Sequence, residues 1–242
     1  MVEDLPMISC IMPTRGRRAF MEQAVKLFLA QDYPNKELVT LEDGNEVNWD
    51  VMAGTNYHHL GGSHHSIGYK RNFAYLGRIA RGEIICQWDD DDWFSPQRLS
   101  LQVEPILRGE ADVTALRMVH MLHASTGVLW ECSEDVHRAL FSHNVRAGTL
   151  MYRASYWRDG LRYEDSSHGE DVAFLRGLLA KGARLQPVVA PGAYVCIRHG
   201  SNVTAEIDGL DLPGWQQIPM EQVLPEDDRA FYKGLALQNA SA

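Results

Sequence analysis

Along the first half of the chain, short apolar runs alternate with apolar positions at helical spacing. Met7 to Met12 is a mostly apolar run closed by Pro13, the pattern of a buried strand. Phe20, Ala24, Leu27 and Phe28 then recur at i, i+4, i+7 and i+8, and Asp32-Tyr33-Pro34-Asn35 ends that helix. Glu37 to Leu41 predicts a second strand, which runs into Glu42-Asp43-Gly44, and Tyr57 to Leu60 a third. Tyr69, Phe73, Leu76 and Ala80 mark a second helix, stopped at Gly82. Glu83 to Trp88 is the next strand and leads directly into Asp89-Asp90-Asp91-Asp92. Ser95 as N-cap, with Pro96 in the first helical position, starts a third helix striped by Leu99, Val103 and Ile106. Such alternation predicts an α/β fold: a mostly parallel sheet with helices on both faces and a ligand crevice at the strands' carboxyl ends.

The second half reads differently. Ala111 to Glu131 predicts a strand pair turning at Ser125-Thr126-Gly127, Gly148 to Arg153 another strand, and Tyr194 to His199 a late one. A helix begins near Glu170 and ends at Gly182, and a short one follows Pro225 in an acidic, Pro-punctuated tail. With 45% hydrophobic and 23% charged residues in 242, the composition is that of an ordinary globular chain and argues against disorder. A formal net charge of −9 argues against a nucleic-acid polymer as main partner. The four cysteines form no CxxC pair, which excludes a zinc ribbon or a disulfide framework and points to a reducing, cytoplasmic setting. No apolar stretch approaches the roughly 20 residues of a membrane span. The first residues are acidic where a secretory signal would be basic.

The acidic run is the sharpest chemical feature. Four adjacent carboxylates repel one another unless a cation lies among them, and one or two carboxylates plus substrate phosphates are how Mg²⁺ is usually held. Strand alternation puts Asp89 and Asp91 on one side, Asp90 and Asp92 on the other. An acidic turn capping the next helix explains the same residues without a ligand. Asp43 ends a different strand on the same rim, where it suits a base imide or a ribose hydroxyl, or simply forms a turn before Gly44. Arg71 lies in the first turns of its helix, an unfavourable place for a cation unless an anion such as a diphosphate is bound. Glu170 and Asp171 open the later helix, where a carboxylate can take a proton from a hydroxyl or merely complement the helix dipole. His199 has the imidazole that suits Mn²⁺ and can equally be a structural histidine. There is no GxGxxG after the first strand, GxxxxGK[ST], HExxH or GxSxG.

Taken in order, ISCIMPTRGR, QDYPNKELVTLEDG, IGYKRNFAYLGRIARGEIICQWDDDDWFSPQRL, HGEDVAFLRGLL and YVCIRHGSN resemble family-2 glycosyltransferases of the GT-A fold over roughly residues 7–204. The resemblance implies one domain over 1–204, with a nucleotide-sugar half to about 110 and an acceptor half after it. Residues 205–242 would be an extension without assigned role. It implies donor binding by Pro13, Thr14, Asp43, Arg71, Asp89 and Asp90. A divalent metal (Mn²⁺ or Mg²⁺) would be held by Asp89, Asp91 and His199, with Asp171 as base and Glu170 its neighbour. The implied reaction is inverting transfer from a nucleoside-diphosphate sugar, commonly a UDP-sugar, to a glycan, lipid-linked sugar, protein or small-molecule hydroxyl. The extension could contact a membrane face or a second copy. Arg15-Gly16-Arg17 departs from the family, in which Tyr-Asn is common, and EDGN replaces DDGS. A nucleotide-sugar-binding scaffold and a sugar-phosphate nucleotidyltransferase are the rival readings.

Overall fold

A computed structural model describes residues 5–239, apart from 49, 53, 62, 118–119, 200–201 and 203–212, with side chains described as far as residue 234. The start of the C-terminal extension, residues 205–212, therefore lies outside the described residues.

Four strands build the nucleotide-side half of the larger sheet: β1 (Ile8–Thr14), β2 (Lys36–Glu42), β3 (Asn56–His59) and β4 (Ile84–Gln87). They run parallel in the order β4-β1-β2-β3, with Ile8 opposite both Lys36 and Ile84. All seven residues of β1 are buried, because both faces of the strand are covered. Ile8, Cys10 and Met12 face a core shared with α1 (Arg18–Leu29) and α3 (Arg98–Leu107). Ile11 faces a second core with Val39, Leu41 and residues of α2 (Ile67–Leu76) and α6 (Glu170–Ala180).

On the other side of β4 the sheet changes direction. β9 (Met151–Arg153) lies antiparallel between β4 and β6 (Val113–Leu116), and β10 (Leu185–Val188) closes that edge parallel to β6. A second sheet has the order β12-β8-β7-β11-β5, from Trp215–Ile218, Val128–Cys132, His120–His123, Tyr194–Arg198 and Trp93–Phe94. The smaller helices are α4 (Glu134–Leu140) and α5 (Ser155–Arg158). The last helix, α7 (Glu226–Asn239), docks through Asp228, which accepts hydrogen bonds from Gln23 and Lys26 of α1 (2.8 and 2.9 Å) and from the Trp93 indole (2.8 Å).

Several boundaries differ from the sequence reading. β1 runs through Pro13 to Thr14, and β9 begins at Met151, because Gly148 lies in a 3-10 turn. The second helix ends at Leu76 with Gly77 as C-cap, so Ala80 and Gly82 lie outside it; Ile79 and Ala80 turn back to the Ala74 carbonyl. The third helix begins at Arg98 with Gln97 in the cap position, because Ser95 and Pro96 are taken up in a turn whose Ser95 carbonyl accepts from the Arg98 amide. The strand pair of 111–131 is three strands, of which β7 and β8 form the hairpin.

Gly68 fixes how α2 meets the segment before α6. Its amide donates to the Ser166 carbonyl (3.0 Å), the Ile67 amide to the Ser167 hydroxyl (3.1 Å), and Ser66 caps the helix by accepting from the Tyr69 amide (2.9 Å). A Cβ at position 68 would collide with the Glu164 backbone carbonyl oxygen. Gly68→Ala therefore lowers stability by about 1–3 kcal/mol or more, measured by urea unfolding; a variant as stable as the wild type would show that the two segments separate freely.

Candidate active site

The carboxyl ends of β1 and β4 meet the start of α6 and Arg146-Ala147 around a cleft of about 330 Å³. Pro13, Arg71, Asp89, Asp90, Asp91, Glu170 and Asp171 all line it. Thr14, Asp43 and His199 are buried beside it. Residues from both halves of the chain thus converge on one space.

Asp43 is fully buried and well satisfied. One oxygen accepts from Lys70 Nζ (2.6 Å) and the other from the His65 amide (2.6 Å). Lys70 also donates to the Thr14 carbonyl (2.8 Å), which ties the ends of β1 and β2 together. Burial draws its ammonium below the ordinary lysine value, with Asp43 opposing that shift. Arg71, one residue on, meets the anions that its place in a first turn requires within the protein itself. Its guanidinium donates to Glu170 Oε1 (2.7 Å) and Asp89 Oδ1 (3.0 Å), and it lies over the Tyr163 ring, which stacks on Phe174. Arg71 therefore joins the end of β4 to the start of α6. Burial raises the carboxyls of Asp89 and Glu170, and Arg71 pulls both back.

The acidic run divides by partner. Asp90 accepts from the Thr14 hydroxyl and Arg17 (both 2.6 Å), and burial pushes it up to about 6 despite Arg17. Asp92 turns into the second sheet, where it accepts from the Tyr194 hydroxyl (2.7 Å) and the Ile197 amide (3.0 Å); burial and Asp91 push it up to about 7. Asp91 Oδ2 faces Arg17 NH1 and His199 Nε2, both at 3.0 Å, and the Asn202 amide at 3.4 Å. Burial works against its charge, but His199 and Arg17 hold it below the ordinary carboxylate value. The His199 ring packs on Phe20, centroids 4.5 Å apart.

Asp171 carries no ion pair among the described residues. Its Oδ1 accepts from the Val172 amide (2.7 Å) and the side chain lines the cleft. Gly148 packs against this group: a Cβ there would stand 3.2 Å from Asp89 Oδ2, 3.6 Å from Asp171 Oδ2 and 3.8 Å from Arg146 Nε. The absence of a side chain lets the two carboxylates and the guanidinium approach one another at the wall of the cleft that Asp89, Asp171 and Arg146 line.

Among the described residues, no three or more His, Cys, Asp or Glu side chains are grouped so as to hold a metal. Asp91 and His199 nevertheless fit two positions of one ion. Neighbouring ligands at about 2.1 Å in an octahedron stand roughly 3 Å apart, the separation of this pair, and phosphate or water oxygens normally complete such sites. The sequence reading did not name Lys70, Arg17 or Arg146 as partners of these acids. The signal was available for the first two: a basic loop and a first helical turn without acidic residues, on a rim crowded with carboxylates.

Residues 9–124 match the model of glycosyl transferase family 2. The matched segment is just under half of the chain. It contains Pro13, Thr14, Asp43, Arg71 and the acidic run, whereas Glu170, Asp171 and His199 lie beyond it. The Escherichia coli (strain K12) protein WcaA, named as a colanic acid biosynthesis glycosyl transferase, is 34% identical over 104 residues, 40% of this chain and 36% of that one. The chain thus matches little more than a third of that relative. Staphylococcus aureus TarS 1–349, solved with UDP-GlcNAc, superposes with a TM-score of 0.63 at 16% identity, over 96% of this chain and 71% of that one. The same TarS piece without ligand gives 0.59 at 17% identity, over 79% and 60%. The Pyrobaculum calidifontis mannosyltransferase PcManGT, solved with GDP-Man and Mn²⁺, gives 0.57 at 15%, over 81% and 57%. At these identities the likeness is one of fold, and the matched segment contains the parallel strands β1 to β4 of a GT-A architecture. No helix among the described residues is long and apolar enough to cross a membrane.

Proposed function

We propose that the chain is an inverting glycosyltransferase, moving a sugar from a nucleoside-diphosphate donor to an acceptor hydroxyl. The observation that carries this reading is the convergence of two carboxylates beside Gly148 in the cleft. There Asp89, from the donor-side rim, and Asp171, from the other half of the chain, face one space. Pro13, Thr14 and Asp43 form the nucleoside side of the rim, and the family 2 match covers all three. UDP is the preferred nucleotide, supported by the UDP-GlcNAc held by TarS; PcManGT, with GDP-Man, keeps GDP in the comparison.

In this mechanism Asp171 takes the proton of the acceptor hydroxyl. The hydroxyl oxygen bonds to the anomeric carbon from the side opposite the leaving group. The bond from that carbon to the diphosphate oxygen breaks, and its electron pair leaves with the nucleoside diphosphate. Asp91 and His199 would hold a divalent ion, which supplies charge stabilisation for the leaving diphosphate. Arg71 keeps Asp89 and Glu170 in place across the cleft. The acceptor is a glycan, lipid-linked sugar, protein or small molecule bearing a hydroxyl. The four buried free cysteines support a cytoplasmic setting; Cys10 and Cys86 stand in register on adjacent strands as thiols.

Calorimetry with UDP, GDP and dTDP, with and without Mn²⁺, tests the reading on the wild type and Asp91→Ala. The expected result is Mn²⁺-dependent binding of UDP that the substitution abolishes. A folded protein that binds none of the three refutes the transferase reading, and equal binding without Mn²⁺ removes the ion from it.

A further inference from the structure

Arg17 occupies the acidic run in a way that matters for any cation arriving there. It stands in the N-cap position of α1, and its guanidinium bridges Asp90 Oδ1 (2.6 Å) and Asp91 Oδ2 (3.0 Å). The Asp91 oxygen it uses is the one that also faces His199. The base of its loop is fixed: Gly16 has φ +58°, and its amide donates to Glu42 Oε1 (3.3 Å). Glu42 is fully buried and held by Tyr57 and Asn48. The Arg17 side chain itself is 25% exposed and lines the cleft, against 2% for the side chain of Asp90. It is a cation on a fixed root with a solvent-facing head. Of the neighbouring cations, Lys70 is paired with Asp43, Arg71 with Asp89 and Glu170, and Arg18 with Asp50 and Glu22, whereas Arg146 and Arg198 line the same cleft without touching Asp90 or Asp91 in an ion pair among the described residues.

We propose that Arg17 is a tethered counter-ion that competes with the divalent ion for Asp91, so that metal and donor bind interdependently. Without nucleotide, Arg17 neutralises Asp90 and Asp91 and opposes a divalent ion at the same oxygen. A donor diphosphate at the cleft gives the guanidinium a second anion, a geometry for which it is well suited. Arg17 then leaves Asp91 to the ion. The first turn of α1 has no side-chain cap bond and no acidic residue, so it does not oppose an anion beside Arg17. This inference rests on the donor and metal reading above and adds an order to it: the ion alone is held weakly, and donor and ion together are held well.

Titration calorimetry of Mn²⁺ into the full chain, with and without UDP, tests it on the wild type, Arg17→Ala, Arg17→Gln and Arg17→Lys. UDP tightens Mn²⁺ binding to the wild type by about tenfold or more, a usual size for coupled sites. In Arg17→Ala, Mn²⁺ binds more tightly without nucleotide and the effect of UDP shrinks correspondingly. Arg17→Lys keeps the charge but not the two-pronged contact, and falls between the wild type and Arg17→Ala. Arg17→Gln keeps a donor but not the charge, follows Arg17→Ala, and serves if the alanine variant does not melt cooperatively. Unchanged Mn²⁺ affinity in both neutral variants, with UDP coupling intact, overturns the proposal while leaving the transferase reading standing. Failure of every variant and the wild type to bind Mn²⁺, even with UDP, overturns the metal reading and this inference with it.

Discussion

Asp171→Asn lowers the rate of sugar transfer by roughly 10²–10⁴-fold and leaves nucleotide affinity nearly unchanged. The substitution is close to isosteric, and an amide oxygen can still accept from the Val172 amide as Asp171 Oδ1 does (2.7 Å). The helix loses one favourable charge in its first turn, worth only about 0.3–1 kcal/mol, so the fold stands. What disappears is the proposed proton acceptor beside Gly148 and Asp89, which makes no bond to Thr14, Asp43 or Lys70 among the described residues. Single-turnover transfer with a labelled donor reads the first effect and calorimetry with UDP the second. A folded variant that has lost nucleotide binding would instead make Asp171 part of the donor site.

Arg71→Leu destabilises the protein by about 3–5 kcal/mol, the usual consequence of leaving buried charges without their partner. Arg71 is 2% exposed, and its removal strands both Asp89 and Glu170. Burial already raises both carboxyls in the wild type. A carboxyl raised above its unfolded value favours the folded state at low pH and loses that advantage as pH rises. Without Arg71 both rise further, so the gap between variant and wild type is widest at neutral pH and narrows on acidification. Urea unfolding at pH 5 and pH 7.5 measures it; a loss below about 1 kcal/mol at both would mean that water reaches these carboxylates.

The two halves of the chain were not equally legible. β1, α1, β2 and β4 could be read because strands buried on both faces are apolar runs, and α1 carries a clean stripe. The edge of the larger sheet could not. β10 reads Leu-Gln-Pro-Val and is mostly half-buried, so neither alternation nor a run marks it, and β9 spans only three residues. Ser95-Pro96 carried the right chemistry for a helix start, but the Ser95 carbonyl and Pro96 are spent on a turn three residues earlier. In the site, the carboxylates were visible because four in succession are conspicuous. Which cation meets which carboxylate was not, since Arg17 lies 73 positions from Asp90 and Glu170 lies 99 from Arg71. Only the sheet topology brings such residues together.

Asp228 has a bearing on the order in which the molecule is completed during synthesis. Its bonds to Gln23 and Trp93 span 205 and 135 positions, from the last helix to the first and to the residue just after the acidic run. The parallel strands β1 to β4 can pair as soon as they leave the ribosome, but the Trp93 indole waits for α7 before it has this acceptor. A nascent chain halted before residue 226 therefore carries the nucleotide-side strands without the support that finishes the rim, and the residue after the carboxylate motif reaches its final setting only once α7 has been made.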